Sequence, residues 1–203
     1  MTAPPPAERR RSFTRAELDA FRDAFVPDLL PGAGQRLRLL FVGINPGLWT
    51  AATGSHFAHP ANRFYPALLQ AGILERPISP SAGMTDEDRG YLRARGIGIT
   101  NIVARASARA SDLSAEELRE GKDRLAALVR RTTPAVVAVA GITAYRTGWG
   151  RPQAVAGRQP EELEGAQLWV VPNPSGLNAH QTIATLAEAY AEPARAAGIL
   201  PDR

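Results

Sequence analysis

Two asparagines stand in loops of nearly the same composition far apart in the chain, Gly43-Ile44-Asn45-Pro46-Gly47 and Pro172-Asn173-Pro174-Ser175-Gly176-Leu177. A carboxamide offers an acceptor oxygen and two donor protons but does not titrate near neutrality. It can orient a water or hold a polar ring, and it cannot act as a general base. Gly, Pro and Asn are also ordinary turn formers, and one such loop alone reads as a turn. Two of them after apolar runs, each bringing an amide to the same sheet edge, point to a shared site. Other reactive groups are scarce. The absence of cysteine excludes thiol nucleophiles, iron–sulfur clusters, zinc knuckles and disulfides. The three histidines, His56, His59 and His180, lack the spacing of a metal site, so no metal and no cofactor is expected.

The elements that must position these loops follow from periodicity. The run 37–42 is apolar with little alternation, as in a strand buried on both faces, and it ends at the first loop. Strands are expected also at 97–103, 135–140 and 168–171, the last ending at the second loop. Capping patterns at Thr14-Arg15-Ala16-Glu17, Thr85-Asp86-Glu87-Asp88 and Ser114-Ala115-Glu116-Glu117 open helices expected at 14–25, 85–96 and 114–131. Further helices are expected at 61–72, where Phe64, Leu68 and Leu69 recur at helical spacing, and at 181–197. Strands alternating with helices predict an α/β fold, a three-layer α/β/α sandwich around a mainly parallel sheet of four strands. In such sheets ligands bind beyond the carboxyl ends of the strands.

The chain has 203 residues, 44% hydrophobic and 22% charged, with net charge +4, the profile of one soluble domain. Residues 1–13 read as a disordered basic tail and 14–203 as a single domain. Glu8, Arg9, Arg10, Arg11 and Arg15 supply +3 of the +4. The body is therefore nearly neutral, apart from Arg89, Arg93, Arg95, Arg105 and Arg109, which read equally as a solvated helix face or as a phosphate-contacting patch. No apolar run suits a membrane span and the N-terminus lacks a secretory core, so cytoplasmic residence without membrane contact is expected. Nothing in the sequence indicates an oligomer, and a monomer is the default expectation.

In order along the chain, Gly43-Ile44-Asn45-Pro46-Gly47, Phe57-Ala58-His59-Pro60-Ala61-Asn62-Arg63-Phe64 and Asn173-Pro174-Ser175-Gly176-Leu177 resemble the mismatch-specific uracil-DNA glycosylases, bacterial relatives of thymine-DNA glycosylase. The resemblance implies a compact α/β/α sandwich that flips a damaged pyrimidine out of duplex DNA and hydrolyses its N-glycosidic bond. It implies that Asn45 orients the attacking water and Asn173 donates to the base. Phe57 would stack on the flipped ring in a pocket bounded by Ile44 and Gly47. Gly176 and Leu177 would form the wedge that enters the duplex, with Ser175 on a phosphate or capping the turn. Some members carry Ser and then Arg after this Leu; here Asn178-Ala179-His180 follow, so bracing the opened duplex falls to Asn178, His180 or backbone groups.

Uracil-only relatives carry Asp where Asn45 stands and Tyr where Gly47 stands. The resemblance therefore implies slow turnover and room at C5, with uracil opposite guanine preferred over thymine, ethenocytosine and 5-substituted uracils. Asp86 and Asp88 could supply the missing basicity, or serve only as first-turn charges on a helix dipole. Lys122, the single lysine, lies on an expected helix away from both loops, so no Schiff base and no strand nicking is expected. The absence of cysteine rules out an iron–sulfur glycosylase. No Walker lysine follows the first loop, and Gly96-Ile97-Gly98 lacks the rest of a dinucleotide fingerprint. A catalytically weak or inactive mismatch or abasic-site binder stays open as the alternative.

Overall fold

The computed structural model describes residues 12–202. Most of the expected basic tail, including Arg9, Arg10 and Arg11, lies outside the described residues. At its inner end Phe13 packs edge-on against Trp49, with ring centroids 5.0 Å apart.

The apolar runs form a central sheet from β1 (Leu39–Gly43), β2 (Ile97–Asn101), β3 (Val136–Ala140) and β5 (Ala166–Val171), with β4 (Gly157–Leu163) as an edge. The order is β2-β1-β3-β5-β4, parallel except where β4 runs antiparallel to β5. The sheet thus has five strands, not the four expected. β4 escapes an apolar-run search because its residues (GRQPEEL) are largely exposed, and an edge position tolerates Pro160. It turns into β5 through Glu164 and Gly165, at φ 51° and 84°, a two-residue hairpin turn suited to the twist of the strands.

Side-chain alternation builds two cores. Leu39, Phe41, Ile97, Ile99 and Ala138 face one layer, with α3 (Phe64–Gln70), α4 (Asp86–Ala94) and α7 (Ile183–Ala196) over it. Leu40, Val42, Val137, Val139, Leu168 and Val170 face the other, under α5 (Ala115–Thr132) and α6 (Ile142–Trp149). All five residues of β1, of β2 and of β3 are buried, as strands covered on both faces require. This is the three-layer sandwich expected from the alternation of elements.

The three capping boxes form as read, at Thr14, Thr85 and Ser114. The first helix, α1 (Arg15–Asp19), is far shorter than the expected 14–25, because the chain turns at Asp23 (φ 62°) and the Asp23 amide bonds the Ala106 carbonyl at 2.9 Å. A tertiary contact overrides the local helical pattern there. Two short helices that the sequence reading missed, α2 (Leu48–Thr53) and α6, each begin directly after a glycine that ends a strand or its loop.

Candidate active site

Both Asn-Pro loops lie at the carboxyl edge of the sheet, the first following β1 and the second β5. Beyond the strands, the first loop continues to run beside the segment that leaves β2. The amides of Ile102 and Val103 bond the carbonyls of Gly43 and Ile44 at 2.8 and 2.9 Å, and the Ser107 amide bonds Pro46 O at 3.1 Å. This pairing brings the buried Ser107 hydroxyl under Asn45. Asn45 Nδ2 donates to Pro46 O and to Ser107 Oγ, both at 2.9 Å, and Ser107 Oγ donates onward to Arg109 O at 2.6 Å. A carbonyl only accepts, and the Ser107 proton is already committed, so the nitrogen of Asn45 must face these two oxygens. Its Oδ1 is thereby left to accept from outside.

The second loop fixes its asparagine the other way round. Asn173 Oδ1 accepts from the Ser175 amide at 3.0 Å, an Asx turn that spends the oxygen and leaves Nδ2 to donate. Ser175 caps this turn: Oγ accepts from the Leu177 amide at 3.3 Å, and its carbonyl accepts from Asn178 N at 3.0 Å. Asn178 Nδ2 closes the loop on Asn173 O at 3.2 Å. Gly176 lies against Ala61, where a Cβ would come within 2.7 Å of Ala61 O, and Leu177 stands 88% exposed.

Phe57 lies beside Gly43, at the end of β1. It is a non-glycine residue at φ 54°, a conformation costing about 1–2 kcal/mol, held because both flanks are anchored. Its ring stacks on the fully buried Phe64, centroids 4.0 Å apart and 25° between planes. Its edge approaches Gly43, where a Cβ would lie 3.4 Å from Phe57 Cζ and 2.4 Å from Asn101 Oδ1. Gly43 is therefore the floor on which ring and amide meet.

On the inner flank, His56 Nε2 faces Pro27 O at 3.0 Å and Nδ1 faces Asn101 Nδ2 at 3.3 Å. The carbonyl requires Nε2–H, so Nδ1 accepts and the ring is satisfied neutral. Burial holds its pKa below the usual imidazole value, against the opposing pull of the Pro27 hydrogen bond. Asn101 and Ser107 were not singled out in the sequence. Asn101 ends a strand at this edge, which is a readable signal; Ser107 sits in an Ala-Arg-rich run and carries none.

Other expected residues fall elsewhere. Ile44 is partly buried and packs against the core beside Gly141. Asp88 is consumed: Oδ2 accepts from Thr85 in the capping box and Oδ1 accepts from Arg76 at 2.6 Å. Asp86 lies exposed in the first turn of α4, and no hydrogen bond or ion pair joins it to Asn45 or Asn173. First-turn charge accounts for both aspartates. His59 accepts from the Ala61 amide at 3.1 Å and meets Trp49 edge-on.

Of the arginine run, Arg89 bonds Gly54 O, Arg93 bonds Leu30 O, Arg95 pairs with Glu75, and Arg105 with Glu117 and Asp23. Among the described residues, no ion pair engages Arg109, whose carbonyl receives Ser107. Lys122 sits on α5 with Asp123 3.6 Å away, and no contact joins it to either loop. Among the described residues no group of His, Asp and Glu is clustered to hold a metal, and no helix is long and apolar enough to cross a membrane.

The fold and the edge site define an open α/β protein with two amide-bearing loops at the carboxyl ends of its strands. The model of the uracil DNA glycosylase superfamily matches residues 31–193, and the chain belongs to that superfamily, whose members are DNA glycosylases, hydrolases of DNA repair. Among solved structures, the chain is similar to the solution NMR structure of a candidate uracil DNA glycosylase from Methanosarcina acetivorans. The TM-score is 0.55 at 15% identity, over 84% of this chain and 96% of that one, a likeness of fold.

Proposed function

We propose that the protein releases uracil, and more slowly thymine, ethenocytosine and 5-substituted uracils, from mispairs with guanine in duplex DNA, leaving an intact abasic site. The observation that carries this reading is the opposite wiring of the two amides: Asn45 is held by its nitrogen and presents an oxygen, while Asn173 is held by its oxygen and presents a nitrogen. Cleavage of the glycosidic bond sends the electron pair of C1′–N1 onto the pyrimidine while a water adds through its oxygen to C1′. The first amide suits the water, accepting a hydrogen bond from it and aiming its lone pair. The second suits the base, donating to a ring carbonyl oxygen as negative charge grows there. Phe57 offers a ring face for the flipped base.

An amide cannot take the proton that the water loses, so it leaves to solvent and the departing base is protonated afterwards. Turnover is slow, and rates rise with the acidity of the leaving pyrimidine. Leu177, exposed at the tip of the second loop, fills the gap left by the base. Arg109, exposed beside Ser107, supplies a phosphate contact. The test is single-turnover base release: Asn45→Ala and Asn173→Ala each lower the rate on a G·U duplex by about 10²-fold, the cost of one well-placed polar group. Wild-type rates in both variants would overturn the assignment.

A further inference from the structure

Among the described residues, Arg63 alone reaches the stretch 173–180 of the second loop with a side chain from outside it; Tyr190 Oη donates to Pro172 O at 2.9 Å, at the start of the loop. The Arg63 guanidinium donates to Gly176 O and Asn178 O, both at 3.1 Å, and to Gln181 O, while its backbone amide bonds Pro174 O at 3.0 Å. The remaining bonds of the stretch 173–180 are local, among Asn173, Ser175, Leu177, Asn178 and Gln181. Ala61, two residues earlier, meets Gly176 so closely that no Cβ fits between them. Residues 61–63 are thus the floor of the loop, and Arg63 is its clamp.

Among the described residues no carboxylate lies within ion-pair distance of Arg63. The guanidinium is a planar fork of five donors, spent here on carbonyl dipoles spread over six residues. Ion pairing therefore does not explain this placement, whereas holding a loop in one shape does. The loop carries Leu177, 88% exposed, an apolar side chain with no core to join. Driving such a side chain between base pairs must offset the lost stacking, and a loop that must also be ordered at that moment bears a further entropic cost per residue.

We infer that Arg63 is a positioning residue for duplex opening: it fixes the loop from 174 to 181 in the conformation that presents Leu177, and acts on base release through that loop without touching the base. The inference rests on the reading of Leu177 as a wedge. It separates two substrates, because a uracil in single-stranded DNA needs no wedge, whereas a paired one does.

The experiment measures single-turnover uracil release from a G·U duplex and from the same strand alone, for wild type, Arg63→Gln, Arg63→Lys, Leu177→Ala and the double variant Arg63→Gln/Leu177→Ala, with thermal melts as the folding control. Arg63→Gln is expected to lose at least roughly tenfold more on the duplex than on the single strand. Arg63→Lys, whose compact ammonium cannot reach three carbonyls, falls between. It carries the comparison if the Gln variant does not fold. In the Leu177→Ala background the further duplex loss from Arg63→Gln is much smaller than in wild type. Equal losses on both substrates, or a full and independent loss in the double variant, overturn the role of Arg63 while leaving the wedge intact. A Leu177→Ala protein with wild-type duplex activity overturns the wedge reading itself, and the inference with it.

Discussion

At Gly47 the backbone has φ −71° and ψ 161°, angles open to any residue, and a Cβ there would meet nothing within 4 Å. Neither strain nor close packing calls for glycine, in contrast to Gly43, where a Cβ would collide with Asn101. What Gly47 contributes is empty volume beside Asn45. Gly47→Tyr is accordingly expected to fold with a stability change within about 0.5 kcal/mol. It should keep uracil release while thymine release falls by roughly tenfold or more relative to it, the scale of discrimination that pocket shape achieves. Melting curves and paired single-turnover rates check both halves, and equal losses on the two bases would contradict the volume argument. Asn45 and Asn173 could be singled out in the sequence by residue type and loop position. Which end of each amide is free was not legible, since that depends on Ser107 and Ser175, and the Ser107 contact is made between segments sixty residues apart.

The segment between α2 and α3 holds Phe57 in its left-handed conformation through His56, whose two ring nitrogens tie Pro27 and Asn101 together. The groups facing this ring are Asp28, which favours the cation, and Arg89, which opposes it; burial outweighs both and lowers the pKa. In the unfolded chain His56 takes up a proton below about pH 6.5, whereas the folded chain resists until lower pH. The unfolded state then binds more protons, so this contribution to stability is complete above about pH 6.5 and is lost as the pH falls below it. The melting temperature should therefore fall between pH 7 and pH 5.5, and less steeply in His56→Gln; identical slopes would contradict the anchor. The parallel strands and the capped helices were readable from the sequence, because burial on both faces and Ser or Thr caps leave periodic traces. β4 was not, since an exposed edge strand has the composition of a loop. The length of α1 was not, since a contact with Ala106 decides it.

Across the whole molecule the charge is nearly balanced, 24 basic against 20 acidic residues, and most of the arginines between 89 and 109 are spent on internal partners. We therefore propose that DNA is recognised through the edge formed by the two loops and Phe57 more than through a broad basic face. The same composition limits the chemistry. With Lys122 on α5 and no second lysine in the chain, we propose that base release proceeds without a Schiff base. Borohydride added during turnover should trap no protein on DNA, and a covalent adduct would show a lyase step. We propose that the free oxygen of Asn45 and the free amide nitrogen of Asn173 perform base release at a mispair. The proposal is tested most directly by single-turnover release from duplexes carrying U or T opposite G, U opposite A, and single-stranded U, with wild type, Asn45→Ala and Asn173→Ala side by side. The account predicts fastest release from G·U, slower release from G·T, and collapse of both in either variant. Tight binding of the mispair with no release by the wild type would contradict it and make the protein a binder of mismatched DNA.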